Sequence, residues 1–176
     1  WKEAEDINDP QFERRIEISD DYGTYSVSRL PLNKDQVREF YHVTSKEAFW
    51  PILHAFKERY NYDPVDWDNF RDVNQRFAEA LKPLLKPDDI IWIHDYHLIP
   101  MASELRRLGC ENRIGFFLHI PFPAPEIYVS LPWHRQLAAD LCSYDVVGFQ
   151  TGTDVRQFKQ YVELELNGTA DWKGAV

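Results

Sequence analysis

The chain has 176 residues, 44% of them hydrophobic and 28% charged, with a net charge of −9. That is enough for one domain with a real core, and the acidic balance argues against nucleic acid or an anionic membrane as the main partner. No apolar run approaches the ~20 residues of a membrane span, the polar start Lys2-Glu3-Ala4-Glu5-Asp6 is no signal peptide, and Cys110 and Cys142 lack a disulfide framework. Reduced thiols in the cytoplasm follow. The chain opens on Trp1 and closes at Ala175-Val176 without a clear stop element, so it reads as a piece of a longer protein.

Residues 1 to 13 are polar and expected as loop. Two short β-like runs, within Glu13 to Ser19 and Tyr25 to Leu32, flank Asp20-Asp21-Tyr22-Gly23, which is turn chemistry, so a hairpin is predicted. Asn33 can cap a helix, with Gln36 three residues on. Thr44 to Glu47 repeats that logic before Ala48-Phe49-Trp50, and Pro51 marks a bend or a new first turn. Residues 60 to 64 read as loop. Trp67, Phe70, Val73, Phe77, Leu81 and Leu84 recur at steps of three or four, which predicts a helix from Val65 to Leu85 with one apolar stripe.

The stretch from 88 to 123 organises the rest. Ile90 to Ile93 and Ile114 to Leu118 are short β-branched and aromatic runs, read as strands buried on both faces. Leu98 to Leu108 between them has helix length. Strand, helix, strand at this spacing is a βαβ unit, with parallel strands and a right-handed crossover. Pro121, Pro123 and Pro125 then stiffen a loop. A helix is expected over Trp133 to Leu141 and a third buried strand over Asp145 to Gln150. Thr151, with Asp154 three on, caps a last helix whose stripe is Val155, Phe158, Val162 and Leu166. The fold class is α/β: an open, Rossmann-like parallel sheet with flanking helices, preceded by a hairpin.

In open parallel sheets, ligands bind beyond the carboxyl ends of the strands. Asp95 and His119 each stand just past a strand. His94 and His97, three apart with an acid between them, could chelate zinc, but a catalytic zinc takes three protein ligands and no third-ligand motif is evident. The plainer alternative has His94 buried and hydrogen-bonded and His97 capping the next segment. His119 could equally be a packed core histidine. Tyr41 and Trp50 lie nine residues apart, and core packing is the default for both. The seven glycines never form G-x-G-x-x-G or a P-loop.

Ile91-Trp92-Ile93-His94-Asp95-Tyr96-His97-Leu98-Ile99-Pro100, the run from Asn112 to Pro123, and Asp145-Val146-Val147-Gly148-Phe149-Gln150-Thr151 closely resemble the trehalose-6-phosphate synthases. Phe49-Trp50-Pro51 and the run from Trp67 to Asn74 also match, so the resemblance extends from about Leu32 to Tyr161. It implies a retaining glycosyltransferase of GT-B fold, with two Rossmann-like domains facing each other. Residues 1–176 would be part of the amino-terminal, acceptor-side domain, and the nucleotide-sugar domain would lie beyond Val176. Glucose would pass from UDP-glucose to glucose 6-phosphate, giving trehalose 6-phosphate and UDP, in trehalose biosynthesis.

By the same resemblance Tyr41 and Asp95 bind glucose 6-phosphate, Trp50 and Ile120 select the α anomer, and His119 lies at the donor glucose. His119 and Asp95 are then the catalytic pair. No metal and no cofactor are expected, UDP-glucose being a co-substrate. The family's opening strand, its Arg and its Gly-Gly loop have no counterpart here, and the Arg/Lys pair and acidic loop that bind UDP in the family would lie beyond Val176, so the 176 residues hold half a cleft and are expected not to turn over alone. Half a cleft and a bare sheet edge call for the missing domain or a homo-oligomer. Two rivals stand beside this reading. One keeps the fold and changes the acceptor, as in glucosylglycerol-phosphate synthases or pseudo-glycosyltransferases. The other is a non-catalytic regulatory homologue that binds sugar phosphate.

Overall fold

The computed structural model describes residues 14–59, 61 and 64–168. The loop expected over residues 1 to 13, and residues 60, 62 and 63 of the loop expected over 60 to 64, lie outside them. The hairpin forms as read. β1 (Arg15–Asp20) pairs antiparallel with β2 (Gly23–Ser28), in the register Ile16↔Val27 and Ile18↔Tyr25. The turn between them is closed by the Tyr22 N–H donating to the Asp20 carboxylate at 2.9 Å.

Asn33 caps α1 (Lys34–Val37) with both hydrogen bonds of a capping box, to and from Gln36. The chain does not stop there. It continues without a break through a π-helical segment, Arg38–Phe49, into α2 (Trp50–Leu53). Thr44 is therefore not a cap, contrary to the sequence expectation: it and Ser45 are buried inside the wide turns. The Ser45 hydroxyl donates to the Phe40 carbonyl five residues back, at 2.6 Å. Pro51 sits in the first turn of α2, where its missing N–H is tolerated. The Asn61 N–H donates to the Glu47 carbonyl at 3.1 Å, which ties the loop after α2 back to the π-helical segment.

α3 (Pro64–Leu81) carries the expected stripe. Phe70 and Val73 are buried, and Trp67 stacks on Trp133 with centroids 5.0 Å apart. It ends earlier than read: Lys82–Leu84 tightens into a 3₁₀ turn around Pro83, and Leu84 is exposed. α4 (Met101–Arg107), α5 (Pro125–Tyr128), α6 (His134–Leu141) and α7 (Gly152–Glu165) complete the helices. α4 starts three residues after Leu98, because residues 96–98 form a 3₁₀ turn and Pro100 follows. In α7 the buried anchor is Tyr161 rather than the stripe read from the sequence, whose members are only half-buried.

β3 (Ile90–His94), β4 (Arg113–Phe117) and β5 (Val146–Gly148) form a parallel sheet in that order. One face packs on the helices through Ile91, Ile93, Ile114, Phe116 and Leu118. The other face is open among the described residues, which corrects the reading of strands buried on both sides: Ile90 is 72% exposed, Trp92 52% and Val146 58%. The Trp92 ring lies flat across β4 on that face. It can do so because position 115 is glycine: a Cβ there would come within 2.3 Å of the indole.

An ionic knot ties the helical layer together. Arg71 on α3 donates to Glu104 of α4 at 2.7 Å and to Asp140 of α6 at 2.5 Å, and Arg107 adds a second bond to Glu104. Both carboxylates are buried. Burial pushes the Asp140 carboxyl up, and Arg71 pulls it back.

Candidate functional site at the carboxyl ends of the parallel strands

The register fixes what emerges where. His94 pairs with Phe117, and Phe117 with Gly148, so the three strands end nearly level. Beyond them the backbone stays stitched. The Asp95 N–H donates to the Phe117 carbonyl at 2.9 Å, and the Leu118 N–H donates to Gly148 at 3.0 Å. The Gln150 amide then donates to the His119 carbonyl at 2.8 Å. Asp95 and His119 thus leave neighbouring parallel strands at one edge of the sheet. Asp95 is half-buried and His119 exposed.

Asp95 holds a backbone conformation that L residues rarely adopt, φ 69° and ψ 162°. Such a conformation costs on the order of 1–3 kcal/mol and collects at functional sites. Its carboxylate accepts the Tyr96 N–H at 3.0 Å and so caps the 3₁₀ turn Tyr96–Leu98. That is the role the sequence alternative gave to His97. His97 is instead a buried wall. It stacks on Tyr96 at 4.0 Å and on Tyr41 at 5.3 Å, and the Asn74 amide donates to its carbonyl at 3.2 Å. Burial lowers the His97 pKa to about 4, with the neighbouring Asp95 carboxylate acting the other way. At neutral pH its imidazole is therefore uncharged. Burial also drives the Tyr96 hydroxyl well above its ordinary range.

His94 is exposed, not buried as the plain reading had it, and it meets His119: its Nδ1 lies 3.0 Å from His119 Nε2. Two ring nitrogens at that distance share one proton, so one imidazole sets the tautomer of the other. Neither reading of His94 contained this pairing, since twenty-five residues separate the two rings. Among the described residues no group of three metal-ligating side chains gathers.

Trp50 is 37% exposed and stacks on His54 with centroids 4.0 Å apart. Ile120, half-buried against the core, opens the proline loop beyond His119. That loop is held from behind. Asp154, buried at the amino end of α7, accepts from the Thr151 N–H at 3.0 Å and from the Phe122 N–H at 3.1 Å. A carboxylate suits a helix amino terminus, and this one also fixes the direction of the chain leaving His119. The strand ends thus place Asp95 and His119 on neighbouring strands, and Tyr41 stacks on His97, two residues past Asp95. Asp154 and Gln150 are supports that the sequence reading used only as a cap and as part of a motif.

Parallel strands presenting a carboxylate, an imidazole and aromatic walls at one end suit the handling of a sugar, and comparison with known proteins agrees. The chain belongs to glycosyltransferase family 20, whose model matches residues 1–171. It is 44% identical over 143 residues to the trehalose-6-phosphate synthase of Klebsiella pneumoniae, covering 81% of this chain and 30% of that protein. Against the enzyme of Cronobacter sakazakii it is 47% identical over 136 residues, 77% of this chain and 29% of the relative. The chain therefore spans less than a third of the length of these relatives. Among solved structures it resembles an alpha,alpha-trehalose-phosphate synthase (UDP-forming) from Burkholderia xenovorans in complex with glucose-6-phosphate. There the TM-score is 0.83 and the identity 41%, over 93% of this chain and 36% of the other. It also resembles the E. coli structure bound with UDP-2-fluoro glucose, with TM-score 0.79 and 41% identity over 86% of this chain and 33% of the other.

Proposed function

We propose that this chain forms the acceptor side of a trehalose-6-phosphate synthase: a retaining transferase that passes glucose from UDP-glucose to glucose 6-phosphate, yielding trehalose 6-phosphate and UDP. The observation that carries it is the emergence of Asp95 and His119 from adjacent parallel strands, tied by the Asp95 to Phe117 backbone bond. The likeness to a synthase solved with glucose-6-phosphate supports the acceptor. The likeness to a structure solved in a study of glycosyl transfer with retention supports the stereochemistry.

On this reading each residue has a distinct task. Asp95 accepts from acceptor hydroxyls and orients the attacking one. Tyr41, stacked on His97, binds the same sugar phosphate. Trp50 and Ile120 shape the wall that selects the α anomer. His119 holds the donor hexose while charge develops at the anomeric carbon, and its backbone is braced by Gln150. Transfer needs no cofactor and no metal on this reading, so EDTA leaves turnover unchanged. On this reading the protein works in the cytoplasm, where its two cysteines stay reduced. No helix among the described residues is long and apolar enough to cross a membrane.

The test is a titration of glucose 6-phosphate into the full-length chain and its Asp95→Ala variant, with trehalose 6-phosphate measured alongside. The expected result is product from the wild type and acceptor affinity at least tenfold weaker in the variant. Equal affinity removes Asp95 from the site, and a wild type that forms no trehalose 6-phosphate overturns the assignment.

A further inference from the structure

The π-helical segment Arg38–Phe49 changes which of its residues share a side. In an α-helix, with 3.6 residues per turn, residues nine apart stand on opposite sides and residues five apart diverge widely. With i→i+5 closure a turn takes about 4.4 residues, so nine residues make about two turns and five make little more than one. Tyr41, Lys46 and Trp50 thereby come to one side of the segment. The register is visible in the bonds themselves: Ser45 Oγ donates to Phe40 O, and the Trp50 N–H donates to Ser45 O.

Lys46 is exposed, and its ammonium stands 4.5 Å from the centroid of the Tyr41 ring. It makes no ion pair among the described residues, in a chain of net charge −9. The Tyr41 ring is also stacked on His97, two residues beyond Asp95. His97 adds no positive charge there at neutral pH, because burial keeps it neutral. Among the described residues, the Asp95 carboxylate, suited to hydroxyls, and the Lys46 ammonium, paired with no carboxylate and suited to an anion, thus both lie near the Tyr41–His97 stack.

We propose that Lys46 is a ligand for the phosphate of the acceptor, binding the anionic end of the hexose phosphate while Asp95 holds its hydroxyls. This rests on the acceptor reading given above. A lysine is a mobile point charge, and it meets a phosphate without demanding one geometry. Its hold on the phosphate, made near the surface, weakens with salt.

The experiment is steady-state kinetics on the full-length chain with Lys46→Ala, Lys46→Glu and Lys46→Arg. Lys46→Ala raises the KM for glucose 6-phosphate about tenfold, with kcat within about twofold and the KM for UDP-glucose unmoved. Lys46→Glu raises it further, and Lys46→Arg restores most of the loss. The acceptor KM of the wild type climbs more steeply with added NaCl than that of Lys46→Ala. A wild type that turns over while Lys46→Ala keeps the same acceptor KM and the same salt dependence overturns the Lys46 proposal alone. A wild type that forms no trehalose 6-phosphate overturns the acceptor reading and this proposal with it.

Discussion

At position 95 one residue carries two conflicting demands. Its backbone lies where glycine alone is comfortable, and its side chain is a carboxylate. Glycine there relieves the strain, worth roughly 1–3 kcal/mol, but loses the cap on Tyr96, worth about 1 kcal/mol. Alanine loses the cap and keeps the strain. The thermal midpoint of full-length Asp95→Gly should therefore equal or exceed the wild type, while that of Asp95→Ala falls below it. Both should lose acceptor affinity. Scanning calorimetry with an acceptor titration checks this, and an Asp95→Gly midpoint below that of Asp95→Ala would show that the strain is not real. The sequence made the carboxylate visible through its place after a strand. It could not show the φ angle, which is set by the bond from the Asp95 N–H to Phe117, twenty-two residues away.

Between elements, what was legible followed from local rules. The capping boxes at Asn33 and Thr151 and the stripe on α3 depend on neighbours three or four residues apart, and they form as read except at Leu84, past the helix end. The π-helical segment was not legible. Thr44 followed by Glu47 imitates a cap, and nothing local marks a turn that closes five residues back. Pairings across long loops were equally hidden, and the Arg71 knot is one: its partners lie 33 and 69 residues away. Removing a partner from a buried ion pair costs about 3–5 kcal/mol, because a charge stays behind without compensation. Arg71 is itself about a third exposed, so water screens part of this, and Arg71→Ala should cost about 2–3 kcal/mol by urea unfolding. It should also drive the Asp140 carboxyl further up, since Arg71 is what pulls it down. Adding Asp140→Asn should recover most of the loss, as an uncharged amide needs no counter-ion, while Glu104 keeps its pair with Arg107. A loss below about 0.5 kcal/mol for Arg71→Ala would mean that the knot contributes no more than a surface pair.

For the molecule as a whole, the acid limb of stability follows from the imidazoles it buries. His97, under Tyr41 and Tyr96, titrates at about 4 instead of its ordinary 6.5, and burial also lowers His134, whose Nδ1 lies 2.6 Å from the Tyr161 hydroxyl. His97 stays neutral in the native state as the pH falls toward 4, while the unfolded chain takes up protons. Stability is therefore full above pH ~6.5 and is lost as pH falls toward 4. For His97 the loss between pH 7 and 4.5 is about 2 kcal/mol by linkage. Asp140 works the other way. Its raised pKa means that the folded state gains a proton before the unfolded one does, which returns some stability as pH approaches the ordinary carboxylate range. His97→Phe keeps a ring between Tyr96 and Tyr41 and removes the titration. Urea unfolding of the full-length protein at pH 7 and pH 4.5 should then show a drop smaller by about 2 kcal/mol in His97→Phe than in wild type, whatever the variant's stability at pH 7. An unchanged drop would place the acid sensitivity elsewhere, with His134 the next residue to substitute. The acid limb thus runs through the ring that supports Tyr41: His97 cannot be protonated without loosening the turn that carries Asp95.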